Sequence, residues 1–152
     1  MSDEVLYFRT YEAAGDPDRT YEPTFLNVER DVPGLGVVPG LVLRPVFGTH
    51  LTMSFVYMEP NTEAPVHQHP EEQFGTIIEG SYEFELDGEK RVVRKGDVYM
   101  VPPNVPHGAW THDEPCLALD VFSPPREMFR ELMQKELERR AAAGESRDAD
   151  SG

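Results

Sequence analysis

With 152 residues, 28 of them acidic and 14 basic, the chain carries a formal charge of −14. That length fits one domain around one hydrophobic core. An acidic surface of this size repels phosphate backbones and anionic lipid, so neither nucleic acid nor a membrane is expected as a partner. The single cysteine, Cys116, excludes an internal disulfide framework; it lies in the apolar run CLALDVF and reads as a small buried hydrophobe. No leader-like segment opens the chain and no run of roughly eighteen apolar residues occurs in it, so a soluble, cytoplasmic protein is expected.

Residues 1–40 are punctuated by Pro17, Pro23, Pro33 and Pro39 and by Gly15, Gly34, Gly36 and Gly40. They read as an N-terminal arm laid over the body, with one short strand expected at residues 21–28. From residue 41 to 122 the texture changes to short runs rich in β-branched and aromatic residues. LVLRPVF, HLTMSFVYME, QFGTIIEG and SYEFELDG follow one another. In SYEFEL the apolar Tyr82, Phe84 and Leu86 alternate with Ser81, Glu83 and Glu85, the period of a half-buried strand. Asp87-Gly88 then supplies a hairpin turn into KRVVRKGD. Strands this frequent, separated by turns, point to an all-β sandwich or barrel. At Ser123-Pro124-Pro125 the pattern turns helical, with Ser123 expected as the cap and proline in the first turn. Met128, Phe129, Leu132, Met133 and Leu137 place an apolar stripe on one face of a helix over residues 123–143. Gly144 ends that helix, and residues 144–152 read as a disordered acidic tail.

Chemistry concentrates in two segments. In PVHQHPEEQFGTIIEG, alternate side chains of a strand share a face, so His67 and His69 can point at one ion, and Gln73 keeps their parity. In GDVYMVPPNVPHGAW, a turn at Gly96-Asp97, a strand and a proline-stiffened loop deliver His107. Imidazole suits zinc, nickel, iron and copper. One divalent ion per chain is expected on His67, His69, His107 and Gln73, with zinc, nickel, manganese or iron as candidates. His50 and His112 fall outside both segments and read as surface residues. Three nitrogens and one amide oxygen leave room for an oxygen-bearing substrate on the ion. On the last strand, Asp120 and Phe122 share a face, and Arg126 follows at the helix start. An inward Asp120 is a general acid or base, or else a carboxylate that orients a ligand histidine. Arg126 either holds a substrate carboxylate or is a solvated helix residue.

The two segments resemble the paired signature of the cupin superfamily. Its first motif falls on Asn61, His67, His69, Gln73 and Gly80, and its second on Gly96, Pro102, Asn104, His107 and Thr111. Asparagine at 61 and 104 stands where the motif has glycine, and asparagine tolerates the left-handed backbone that glycine would supply. Gln73 replaces a glutamate and brings no charge. The resemblance implies a single-domain double-stranded β-helix, or jelly-roll barrel, with metal ligands at His67, His69, Gln73 and His107. The ending Asp-x-Phe-x3-Arg is similar to the small KdgF-type cupins of pectin and alginate breakdown, which act on unsaturated monouronates; their functional residues fall on Asp120, Phe122 and Arg126. The implied activity is acid–base isomerisation, lyase or ring-opening chemistry on a small oxygenated anion. An iron or copper dioxygenase and a non-enzymatic metabolite-binding cupin are the alternatives. The apolar stripe and the long arm also suggest a homodimer.

Overall fold

In a computed structural model, which describes residues 7–8 and 15–144, the runs of alternating hydrophobicity become nine strands. In order these are β1 (Leu35–Val38), β2 (Leu41–Phe47), β3 (Thr52–Met58), β4 (Glu63–His67), β5 (Glu72–Leu86), β6 (Glu89–Arg94), β7 (Val98–Val101), β8 (His107–Trp110) and β9 (Cys116–Ser123). Every pairing is antiparallel. One sheet runs β1-β2-β3-β9-β5-β7, and the other is built from β4, β8, β5 and β6. The two make a nearly closed barrel. Its interior is filled by the alternate buried residues of β2, β3, β5 and β9, among them Leu43, Val56, Ile77 and Ala118.

Two sequence expectations merge into one element here. QFGTIIEG and SYEFELDG are not separate strands but the two halves of β5, which runs unbroken for 15 residues. The first half pairs with β9 and β7, the second with β6 and β8. A register shift between Ile77 and Glu79, followed by Gly80 at φ 77°, bends the strand from one sheet into the other. A Cβ on Gly80 would stand 2.1 Å from the carbonyl oxygen of Pro115, so only glycine fits the corner. The Asp87-Gly88 hairpin forms as expected, with both residues at positive φ.

The arm differs from its sequence reading. Residues 21–28 form no strand; the backbone is irregular there and then turns into a short helix α1 (Val28–Asp31) capped by the Asn27 side chain. Asn27 accepts from the Arg30 amide, a local bond that competes with any ladder. The arm's strand is instead β1, pairing with β2. Helix α2 (Glu127–Ala143) starts four residues later than Ser123, with Arg126 in the capping position. Ser123 is unavailable as a cap because it completes β9 opposite Glu72, and its hydroxyl donates to the His50 carbonyl. Gly144 ends the helix in the left-handed conformation at φ 75°. The apolar stripe packs on the protein's own body: Phe129 is buried, with Leu132 and Met133 against the core. The remainder of the acidic tail, 145–152, and arm residues 1–6 and 9–14 lie outside the described residues. Among the described residues no helix is long and apolar enough to cross a membrane.

Gly80→Ala should therefore lower stability by about 2 kcal/mol or more, since it adds both left-handed strain and a backbone clash. Urea unfolding checks this, and an unchanged midpoint would show that the corner relaxes freely.

Candidate metal centre

Two backbone devices bring the histidines together. His67 and His107 are direct partners across the β4–β8 ladder. His69 lies beyond the end of β4, in a loop rather than on the strand, so alternation along a strand does not explain its direction. The amide of Asn104 donates to the His69 carbonyl at 2.8 Å and ties the two histidine-bearing loops to each other. Asn61 and Asn104 adopt φ 54° and 63°, the left-handed backbone expected for them. Thr111, where the second motif has asparagine, donates to the Glu59 carbonyl and accepts from the Thr62 amide, which fastens β8 to the loop before β4.

The ligand atoms of His67, His69 and His107 lie within 4.8 Å of one another, a cluster that could hold a metal ion. Each ring uses Nδ1 on a main-chain carbonyl: Pro65 at 2.8 Å, Glu71 at 3.0 Å and Val105 at 2.9 Å. A carbonyl can only accept, so Nδ1 carries the proton and Nε2 presents a bare lone pair inward. Burial holds all three rings below the ordinary histidine range, His107 at about 4, so they are neutral near pH 7. His107 Nε2 is buried without any hydrogen-bond partner.

Gln73 lies against the cluster. Its Oε1 faces His69 Nε2 at 3.0 Å, two acceptors pointed at each other, which only an electropositive centre between them satisfies. Two ligands about 2.1 Å from one ion and at right angles to each other stand about 3.0 Å apart, so the donor set fits a divalent cation.

The opposite side of Gln73 faces Asp120, 8% exposed, whose carboxyl is raised to about 6 chiefly by burial, against hydrogen bonds from Tyr99 and Gln73 and the field of Arg126. Asp120 therefore orients the glutamine and touches no histidine, since every histidine Nδ1 is already taken by the main chain. Tyr99 donates to Asp120 Oδ1 at 2.6 Å and is itself bonded to Tyr82. Tyr99 and Asp120 both sit opposite Gly75, on β7 and β9. A Cβ on Gly75 would stand 2.0 Å from the Tyr99 ring and 2.4 Å from Asp120 Oδ1, so the missing side chain is the passage through which they meet. The sequence reading missed Tyr99 and Gly75. The available signal was alternation in VYMV, which puts Tyr99 on the inward face with Val101.

Arg126 is not solvated: it is 8% exposed and its guanidinium lies 5.1 Å from the centre of the Phe122 ring and 4.5 Å from that of Phe129. Among the described residues it makes no ion pair. The Phe122 ring also packs edge-on against His69, so it links cluster and guanidinium. All of these groups except Tyr99 and Gly75 line one cavity of about 590 Å³, with His67 at its exposed side. His50 and His112 lie apart from it, paired on the surface with Asp16 and Glu83.

Residues 54–122 match the Cupin domain family. A pectin degradation protein, KdgF of Dickeya dadantii, is 34% identical over 80 residues, 52% of this chain and 73% of that one. This chain belongs to the cupins. The solved structure of KdgF from a Halomonas species superposes with a TM-score of 0.65 at 32% identity, covering 72% of this chain and 99% of the other. An H2HPP isomerase of Bacillus subtilis is 34% identical over 67 residues, 43% of this chain but 28% of that protein. The chain thus spans most of the KdgF protein and under a third of the isomerase.

His67→Ala with His69→Ala should abolish binding of one zinc or nickel per chain and leave a folded barrel, because the strands and not the cluster carry the core. Metal analysis with circular dichroism checks both halves; wild-type metal content in the double variant would remove the cluster as the binding site.

Proposed function

We propose that this cupin is a metal-dependent enzyme performing acid–base isomerisation, lyase or ring-opening chemistry on a small oxygenated anion; the likeness to KdgF suggests an unsaturated uronate, and a keto acid is the other class that a metal and a guanidinium can hold together. The observation that carries this reading is the meeting, in one cavity, of a neutral imidazole cluster, a buried carboxylate and an unpaired buried guanidinium. A metal-anchored protein that only binds an anion would need the imidazoles and the guanidinium but not the carboxylate. The names of the relatives, a pectin degradation protein and an isomerase, agree with it.

When bound, a divalent ion held by His67, His69, His107 and Gln73 supplies a Lewis acid for a substrate carbonyl or hydroxyl. Arg126, already stripped of water by Phe122 and Phe129, receives the substrate carboxylate. Asp120 takes and returns the proton; burial keeps that carboxyl close to the range useful to a general base at neutral pH. Tyr99 fixes the carboxylate by donating to Oδ1.

Asp120→Asn should retain the metal and slow turnover by about a hundredfold or more. Gln73→Glu should also retain it, yet slow turnover of an anion by roughly ten- to a thousandfold. The new carboxylate weakens the ion's pull, removes the amide donor and stands against Asp120. Turnover on a panel of unsaturated uronates and keto acids, with metal content measured in parallel, reads both. Full activity in Asp120→Asn would falsify the acid–base role.

We also infer a cytoplasmic homodimer. The outer face of β3, β9, β5 and β7 carries the rows Met53–Val121–Phe74–Met100 and Phe55–Leu119–Thr76–Val98, without a charged side chain. Phe74, Met100 and Val98 are 43%, 58% and 62% exposed. Two copies of a chain at −14 repel through their charged surfaces and meet at least cost on this face. Light scattering at tens of micromolar should report a dimer, and Val98→Lys with Met100→Lys should give a monomer; a monomeric wild type refutes the pairing.

A further inference from the structure

The cavity changes character along its length. Going inward along the β3–β9 ladder, the inward pairs are Thr52–Phe122, Ser54–Asp120, Val56–Ala118 and Met58–Cys116. The first two pairs bring three polar residues, Thr52, Ser54 and Asp120; the next two bring an apolar wall. Leu41 and Leu43 on β2, Phe84 on β5 and Ala109 on β8 line the same end as Val56 and Met58, and all six are buried. None has a side chain able to donate or accept a hydrogen bond. The polar lining groups gather at the other end, around the histidines, Asp120 and Arg126. Tyr82, two residues farther from His107 along β5 than Phe84, brings the apolar end its one hydroxyl, which is bonded to that of Tyr99.

We propose that this apolar lobe is a specificity subsite for a substrate that is an acid with an apolar, ring-sized body, such as an aryl-substituted 2-keto acid, and that it disfavours a polyhydroxylated sugar acid. The inference rests on the site proposed above, whose metal and guanidinium receive the oxygen-bearing head, and of the two acid classes named there it selects the keto acid over the uronate. A sugar acid held by its carboxylate at Arg126 would press ring hydroxyls against Leu43, Val56 and Met58. Each hydroxyl buried there without a partner weakens binding by about five- to a hundredfold. A phenyl group in the same place gains about ten- to a hundredfold from leaving water. The total volume, about 590 Å³, lies within the ordinary range for small organic ligands and leaves space beyond a three-carbon head group.

The test is a calorimetric titration of the zinc-loaded full chain with pyruvate, phenylpyruvate and galacturonate. Phenylpyruvate should bind at least about tenfold tighter than pyruvate, which has the same head, and tighter than galacturonate. Val56→Thr, which keeps the volume and adds a hydroxyl, should erode the phenylpyruvate advantage and leave pyruvate unchanged. If that variant does not fold, the wild-type series still decides. Equal affinity for pyruvate and phenylpyruvate, or tighter galacturonate, overturns the lobe. Repeating the series after zinc removal separates the two readings. Affinities that do not depend on zinc would count against the metal head site, while the ratio between the acids would still report on the lobe.

Discussion

Three imidazoles held by three main-chain carbonyls set the terms for everything else in this barrel. Because Pro65, Glu71 and Val105 each accept from an Nδ1, the tautomer of every ring is decided by backbone geometry, before any ligand arrives. The lone pairs that result all face one space, and burial keeps them unprotonated. Among the described residues, only His69 has a carboxylate near its Nδ1 as well, that of Glu71 at 3.4 Å, and none of the three rings takes Asp120 as its partner. That leaves Asp120, the buried acid beside the cluster, free for another task, and it spends its contacts on Gln73 and Tyr99 instead. The neutral amide at 73 and the perturbed carboxyl fit one another: a glutamate at 73 would set two carboxylates side by side in a low-dielectric interior, where one of them must stay protonated.

The row across the sheet explains how a polar network survives in a β core. Ser54, Asp120, Gly75 and Tyr99 occupy one line of register on β3, β9, β5 and β7. Two residues two strands apart cannot ordinarily touch, since neighbouring strands stand about 4.8 Å apart. Removing the side chain between them opens the gap, and Tyr99 is long enough to cross it. Glycine in the middle of a strand normally weakens it. Here the lost strand stability is offset by a hydrogen bond to Asp120, the buried acid of β9 in the cavity wall.

Most of the fold was legible because the barrel strands alternate cleanly and the turns carry their own residues. Asp87-Gly88, Asn61 and Asn104 are local statements, readable without knowing what they pack against. The cluster was legible for the same reason, as two short segments with fixed spacing. What the sequence hid were the consequences of pairing. That β5 is a single strand serving two sheets depends on the Pro115 carbonyl reaching over Gly80, a contact between residues 35 apart in the chain. That Ser123 belongs to a strand and not to a helix cap depends on Glu72 lying opposite. His69 pointed the right way for a reason other than strand parity, because the Asn104 amide holds its loop. Gly75 and Tyr99 carried no motif and became meaningful only when register placed them on either side of Asp120's path.

The late start of α2 has a consequence for charge. Had Ser123 capped the helix, Arg126 would lie inside the first turn, where a positive charge opposes the helix dipole and turns toward solvent. With the helix beginning at Glu127, Arg126 sits outside it, its amide held by Thr52 at 3.0 Å and its guanidinium laid between two phenyl rings. A chain with twice as many acids as bases presents a repulsive field to any anion. A cation fixed behind aromatic walls escapes much of the solvent screening that would blunt it at the surface. Burial pulls its own affinity for a proton down, and the nearby carboxylates of Glu71 and Asp120 offset part of that cost, so a substrate carboxylate would add to an attraction already present. Phe122, one of the two rings that desolvate Arg126, also packs edge-on against His69, so the guanidinium and the histidine cluster share one wall, and the apolar lobe is left as the part of the cavity free to discriminate between acids.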